Sequence, residues 1–167
     1  VTVVALAGSD DKIALVRKHG ADYAINYKKT DYVEEINRLF GPKAAGLAAG
    51  GERGGGVDVS LNGVAGPTLT TDPKVIRKRG RFVIYGFAAG KGNLDITTFS
   101  YDGITVMPFS MIAWLGTPEY EAGKTFIREW LETEELIQPT VYPIERVAEI
   151  EHAMEQGLTS GKIVFKI

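Results

Sequence analysis

The sequence contains no cysteine and only two histidines among its 167 residues. Disulfides and thiolate metal sites are therefore excluded, and the isolated His19 and His152 do not make a metal site. The formal net charge of −2 lacks the basic excess that nucleic-acid binders carry. No stretch approaches 18 uncharged apolar residues, and the first residues lack the pattern of a signal peptide. We therefore expect a soluble, cytoplasmic protein without a metal and without a nucleic-acid or membrane partner.

Apolar residues and glycine are abundant instead, with 44% hydrophobic residues and 20 glycines. The continuous apolar run Val1–Leu6 is typical of a strand buried on both faces. Ser9 can cap the helix that follows, and Gly20 can end it. Apolar strand patterns then alternate with helix patterns up to a final strand, "GKIVFKI". This alternation predicts an α/β fold with a parallel sheet covered by helices on both sides.

Helix signals recur along the chain. A helix capped by Thr30 or Asp31 is predicted to reach Phe40, and further helices are predicted for Pro67 to Lys78 and for Tyr142 to Gly157. The amphipathic helix that begins at Pro118 is expected to bury one apolar face, which comprises Phe126, Ile127, Trp130 and Leu131. Gly41–Gly56 is predicted to be a flexible glycine-rich connection, with a short helical piece around Lys43 to Ala49 as an alternative. Gly103–Trp114 is predicted to be an extended apolar run.

Four segments occur in an order and at a spacing similar to the medium-chain dehydrogenase/reductase superfamily. They are "AGSDDKIALVRKHGADYAINY", "GGGVDVSLNGVAG", "RKRGRFVIYGFAAGKG" and "TSGKIVFKI". Within the superfamily they most resemble the zinc-independent quinone oxidoreductase and enoyl reductase branch. The resemblance runs from Val1 to Ile167 apart from Gly41–Gly56. It implies a Rossmann-like, doubly wound, mostly parallel sheet in a dinucleotide-binding domain that spans residues 1–167.

The same resemblance makes Val1–Leu6 the second strand of the sheet. The first strand, its glycine fingerprint and a separate substrate-binding domain would precede it. In the strand order 3-2-1-4-5-6, the first strand lies between Val1–Leu6 and the strand Val57–Asn62. Without that strand, two apolar strands would expose unpaired edges. We therefore expect a sheet that is incomplete at its N-terminal end, and a longer polypeptide or another segment that completes it.

The turn after the first strand, Ala7-Gly8-Ser9, bears on the choice of cofactor. It carries no carboxylate to bind a ribose 2′-hydroxyl, and its small residues leave room for a 2′-phosphate. The Ser9 hydroxyl and the Lys12 ammonium can bind such a phosphate, and the resemblance adds Tyr27 beside it. Alternatively, Ser9 only caps the helix and Lys12 is solvated. Asp10 and Asp11 add opposing negative charge near the turn.

A second group of candidates ends two later strands, where ligands bind in open parallel sheets. These candidates are Asn62 and Val64 after one strand and Gly86 and Phe87 after the next. The resemblance implies that the backbone there runs along the nicotinamide, which glycine can approach closely. The alternative is an ordinary strand-to-helix turn. The resemblance also implies that Lys162 lies near the cofactor. The alternative is that Lys162 is an ordinary lysine at the edge of a strand.

These observations favour the NADP(H)-binding part of an oxidoreductase that transfers hydride to a quinone, an enone or an enoyl thioester. No catalytic residue is assigned, because the resemblance implies a proton-donating tyrosine in the upstream domain. The resemblance also implies a homodimer formed through the edge strand in Gly103–Trp114. Two alternatives stay open: a non-catalytic nucleotide-binding or structural relative of the same fold, and another Rossmann-like protein such as a methyltransferase.

Overall fold

A computed structural model describes residues 1–44, 54–133 and 138–167 of the chain. Most of the predicted glycine-rich connection, residues 45–53, lies outside the described residues. The chain divides into two compact units, Val1–Met111 and Ile112–Ile167. No helix in the described ranges is long and apolar enough to cross a lipid bilayer.

Five strands form two parallel sheets in the first unit. Strand β1 (Val4–Ala7) pairs with β2 (Tyr23–Asn26). Strand β4 (Ile76–Ile84) lies between β3 (Val57–Asn62) and β5 (Thr105–Pro108). Within the described residues β1 pairs only with β2, and β3 pairs only with β4. The predicted parallel α/β architecture is confirmed.

Helices of the first unit begin where the sequence supplies caps. The Ser9 side chain caps α1 (Asp10–Lys18), and Asp31 caps α2 (Tyr32–Phe40) by accepting two backbone N–H bonds. Two further helices, α3 (Thr68–Thr71) and α4 (Ile96–Asp102), follow β3 and β4. Gly103, in the left-handed conformation, ends α4.

Two clusters of buried side chains make the core of this unit. The larger centres on β4, where Ile76 and Phe82 are fully buried and Phe82 stacks on Phe99 of α4 with ring centroids 6.0 Å apart. The smaller joins Ile36 of α2 to Ile25 of β2 and to Val75, and Val4 and Val57 pack against it. Since Val4 lies on β1 and Val57 lies on β3, this cluster connects the two sheets.

Several predicted elements of the first unit are corrected. Strand β1 begins at Val4, and Leu6 is exposed rather than buried, because no described strand or helix covers its side chain. The helix predicted for Pro67–Lys78 ends at Thr71, and a 3-10 turn over Asp72–Lys74 follows. Pro73 in this turn cannot donate the N–H that an α-helix would need.

The extended run predicted for Gly103–Trp114 is also corrected. Only Thr105–Pro108 is a strand, and a 3-10 turn covers Met111–Trp114. The last hydrogen bond to β4 is donated by the Phe109 N–H to the Ile84 carbonyl at 2.8 Å, directly after the strand. Helix α4 was not predicted, because its sequence "ITTFSYD" carries little apolar periodicity.

The second unit comprises two helices and a two-stranded parallel sheet. Strands β6 (Thr140–Pro143) and β7 (Ile163–Lys166) pair, and the helices are α5 (Pro118–Thr133) and α6 (Val147–Glu155). The prediction of a helix from Tyr142 is wrong, because Tyr142 and Pro143 are extended in β6 and the helix starts only at Val147.

The predicted burial of the apolar face of α5 is wrong in this structure. The side chains expected inside are exposed because no described element covers them: Phe126, Ile127, Trp130 and Leu131.

We predict that Phe82→Ala destabilises the first unit by about 3–5 kcal/mol, because it leaves a cavity beside Phe99 at a site that is fully buried. Urea denaturation followed by circular dichroism measures the change. Ile96→Ala, which truncates an exposed side chain in α4, is the control and should change the free energy of unfolding by less than about 0.5 kcal/mol. Equal effects of the two substitutions would contradict the described core.

Candidate functional site

The carboxyl ends of β1 and β2 form a compact corner. Tyr27 donates its backbone N–H to the Ala7 carbonyl at 3.1 Å, which joins the two turns. The phenol of Tyr27 lies over Gly8, since a Cβ built on Gly8 would be 2.7 Å from the Tyr27 hydroxyl oxygen. Only glycine leaves room for this tyrosine. The structure therefore brings together two of the residues predicted for the phosphate site.

Ser9 joins this corner at the N-terminus of α1. Its Oγ accepts a 3.4 Å hydrogen bond from the Lys12 backbone N–H, so the predicted helix cap is confirmed. The helix supplies partial positive charge from its first N–H groups. Cap and phosphate binding are compatible roles, because a serine hydroxyl also has a proton to donate.

Asp10, the acidic residue that opposes phosphate binding, is held by two neighbours. Its carboxylate accepts hydrogen bonds from Lys29 Nζ at 2.5 Å and from Asn26 Nδ2 at 2.9 Å. These contacts, chiefly the one with Lys29, lower the pKa of Asp10. The Asp10 carboxylate is thus paired with the Lys29 ammonium at an exposed position.

The loops after β3 and β4 continue the pairing of their strands. Tyr85 donates its N–H to the Asn62 carbonyl at 2.9 Å, and Ala89 donates to Val64 at 2.7 Å. A Cβ on Gly86 would lie 2.5 Å from the Gly63 carbonyl oxygen, so glycine permits this close approach. Predicted candidates Asn62, Val64, Gly86 and Phe87 therefore lie on two adjacent, paired loops.

Asn62 shapes the first of these loops. Its amide nitrogen donates to Thr68 Oγ1 at 2.7 Å and to Asp72 Oδ2 at 2.8 Å. Its amide oxygen accepts from the N–H groups of Val64 at 3.0 Å and Ala65 at 2.7 Å. This buried side chain has no hydrogen-bonding capacity left, so any cofactor contact at Asn62 would have to come from its backbone.

The turn that Asn62 holds contains an unusual backbone conformation. Ala65 is fully buried and has a φ of 57°, in the left-handed region that few non-glycine residues adopt. Its carbonyl accepts the Thr68 hydroxyl at 2.8 Å. Such strain persists only where surrounding contacts fix the chain, and it is concentrated at functional sites.

Asp72 is the buried centre of the network. Its carboxylate accepts hydrogen bonds from the Tyr32 hydroxyl at 2.7 Å, Ser60 Oγ at 2.9 Å and Asn62 at 2.8 Å. Burial, and next the hydrogen bond to Asp72, raise the pKa of Tyr32 well above its ordinary value. Because Tyr32 opens α2 and Asn62 ends β3, this carboxylate links the beginning of the helix after β2 to the second pair of candidate loops.

Lys162, the last predicted cofactor residue, lies elsewhere in the chain. It belongs to the second unit and is exposed directly before β7. Sequence reasoning also missed residues around the first corner, notably Lys28 and Lys29 at the tip of β2. Two lysines directly after a parallel strand were the available signal.

The described geometry is that of a Rossmann-like α/β fold, with loops gathered at the carboxyl ends of parallel strands. A family model for zinc-binding dehydrogenases matches residues 1–128. The chain belongs to this family, and the predicted membership of the medium-chain dehydrogenase/reductase superfamily is confirmed.

Individual relatives match only parts of longer proteins. Quinone oxidoreductase-like protein 2 from Bos taurus is 32% identical over 88 residues, which are 53% of this chain and 22% of that protein. The Escherichia coli quinone oxidoreductase complexed with NADPH has a TM-score of 0.79 at 19% identity over 99% of this chain and 49% of its own. The Aeropyrum pernix alcohol dehydrogenase has a TM-score of 0.76 at 18% identity, over 100% of this chain and 43% of its own.

The comparisons show which fold the chain shares and how much of each longer protein it spans. At such identities the two solved structures show a shared fold alone. The chain spans less than half the length of each of the three proteins.

The zinc in the family name finds no fitting donor set in the described residues. They contain no group of three or more histidine, cysteine, aspartate or glutamate side chains that could hold a metal ion. We therefore derive no step that involves zinc.

We predict that Tyr32→Phe flattens the loss of stability at alkaline pH. The raised pKa keeps the proton on Tyr32 in the folded state, whereas the unfolded state releases it above about pH 10. The contribution of Tyr32 to the free energy of unfolding is therefore fully present below about pH 10. Above that pH it decreases, by up to about 1.4 kcal/mol per pH unit. Urea denaturation between about pH 9 and 11.5 should show this steeper loss in the wild type and in the control, but not in Tyr32→Phe. The control, Tyr101→Phe, removes an exposed phenol, and flattening in both variants would contradict the assignment.

We predict that Gly86→Ala destabilises the protein by about 1–3 kcal/mol, because the new methyl group meets the Gly63 carbonyl oxygen and pushes the two loops apart. The midpoint of urea denaturation measures this effect. Gly123→Ala is the matched control: it adds the same methyl group in α5 where no atom lies within 4 Å, and should stabilise the helix slightly.

Proposed function

We propose that this chain is the NADPH-binding part of an oxidoreductase that transfers hydride to a quinone, an enone or an enoyl thioester. The observation that carries the proposal is the corner after β1, where the turn at Gly8 and Ser9 has small side chains and no carboxylate at the strand tip. Tyr27 packs against this turn, and Asp10 forms an ion pair with Lys29. An extra phosphate on the ribose fits such a site better than a bare hydroxyl does.

In this proposal the first corner binds the adenosine side of the cofactor. Ser9 and the first N–H groups of α1 would donate hydrogen bonds to the 2′-phosphate, and Lys12 would supply positive charge. The Tyr27 phenol, about half exposed, would lie alongside the adenosine. NADPH supplies the hydride when it is bound.

The loops after β3 and β4 would then bind the nicotinamide side. Gly63 and Gly86 keep the two backbones close, while the exposed side chains of Val64 and Phe87 offer an apolar surface to a flat ring. Lys162 remains a proposed cofactor contact from the C-terminal part of the chain. No acid or base is assigned to the reaction.

We also propose that a strand outside residues 1–167 lies between β1 and β3 and precedes a glycine fingerprint. The open edges of β1 and β3 within the described residues support this proposal, as do the exposed apolar side chains of Leu6, Val59 and Leu61. Because an exposed apolar edge is prone to aggregation, a covering strand would stabilise the domain. We also propose a cytoplasmic location and a homodimer that uses the outer edge of β5.

We predict that Lys12→Gln weakens NADPH binding about tenfold and leaves NADH binding unchanged, because only NADPH carries the phosphate that Lys12 would contact. Fluorescence titration of the intact polypeptide with both cofactors measures this difference. Lys18→Gln removes the same charge near the other end of α1 and should change neither affinity. Unchanged NADPH affinity in Lys12→Gln would contradict the phosphate site.

Oxidation of NADPH in the presence of a quinone or of crotonyl thioester then separates an enzyme from a non-catalytic relative of the same fold. A protein that binds NADPH tightly but oxidises it with neither acceptor class would contradict the proposed hydride transfer.

A further inference from the structure

Two consecutive lysines follow Tyr27, and the structure directs them to different places. The Lys29 ammonium binds the Asp10 carboxylate at 2.5 Å. The Lys28 side chain instead lies against Gly8: its Cε is 3.3 Å from the position that a Cβ on Gly8 would occupy. That same position is 2.7 Å from the Tyr27 hydroxyl oxygen, so Lys28 and Tyr27 both pack against Gly8 at the tip of β1.

The backbone at Lys28 is fixed in this arrangement. Its N–H donates to the Asn26 side-chain oxygen at 3.1 Å, and the amide nitrogen of the same Asn26 donates to Asp10 at 2.9 Å. One asparagine thus holds the turn that bears Lys28 and the acidic residue that would otherwise attract it. Asp10 is therefore paired with Lys29, while the side chain of Lys28 lies against Gly8.

Lys28 consequently adds a positive charge at the tip of β1. In the ranges 1–44, 54–133 and 138–167 no carboxylate forms an ion pair with the Lys28 ammonium, while Asp10 is already paired. Asp11 is exposed in the first turn of α1 and is the remaining acidic group on that turn. A phosphate monoester carries close to two negative charges at neutral pH, so a single lysine would balance only about half of them.

We infer that Lys28 is a specificity-determining residue, which supplies the second cation for a ribose 2′-phosphate bound beside Tyr27 at the tip of β1. This inference rests on the proposed function and adds a residue to its phosphate site. Tyr27 packs against Gly8 at this tip, and the stem of Lys28 reaches the same place from the end of β2. The chain distinguishes a 2′-phosphate from a hydroxyl through this lysine, because the ammonium gains a charged partner only in the first case.

The test uses two fragments that differ only in the phosphate: adenosine 2′,5′-bisphosphate and adenosine 5′-monophosphate. Isothermal titration calorimetry with the intact polypeptide measures both affinities. Lys28→Gln is expected to weaken binding of the bisphosphate about fivefold to tenfold, to leave the monophosphate unchanged and to reduce the salt dependence of bisphosphate binding. Lys28→Arg should restore most of the preference, since it restores the charge.

The controls separate this inference from the proposed function. Lys18→Gln removes the same charge from an exposed position at the far end of α1 and should retain the wild-type preference. If the wild type prefers the bisphosphate and Lys28→Gln keeps that preference, the role of Lys28 is overturned and the proposed function stands. If the wild type shows no preference, both are overturned. An unchanged midpoint of thermal unfolding in Lys28→Gln shows that the variant is folded.

Discussion

The hydrogen bonds to the buried Asp72 carboxylate hold the first unit together at its polar centre. One donor, Tyr32, comes from the helix that follows β2, and the other two, Ser60 and Asn62, come from β3. Removing any one donor would leave part of a buried charge unsatisfied, which costs more than an ordinary surface hydrogen bond contributes. The two sheets of this unit are therefore joined by a polar network as well as by the apolar contacts of α2.

The same network determines the surface at the carboxyl ends of the strands. Asp72 orients the Asn62 amide, whose oxygen fixes the N–H groups of Val64 and Ala65, and this turn pairs with the loop after β4. The backbone strain at Ala65 is maintained by these bonds. Hence the shape of the proposed nicotinamide surface depends on the side chains of Asp72 and Asn62, which lie beneath it.

The features that could be predicted from the sequence are those that depend on residues close together in the chain. Ser9 and Asp31 cap helices because their oxygens reach N–H groups only two or three residues away. Features that depend on distant partners were missed. The early start of β4 requires pairing of Ile76 with Val57, and the burial of Asp72 requires three donors from other elements. Glycine at position 8 was predicted as part of the site, but its contacts with Tyr27 and Lys28 depend on the turn after another strand.

The pairing pattern also indicates the order in which the chain acquires its structure. Paired residues of the parallel strands are only 19 to 24 positions apart, from Val4 with Tyr23 to Arg81 with Thr105. Closing such short segments costs little chain entropy, so each strand–helix–strand piece can form early and independently. Joining β1–β2 to β3–β4–β5 through Tyr32 and Asp72 bridges 40 residues and is then the late, cooperative event.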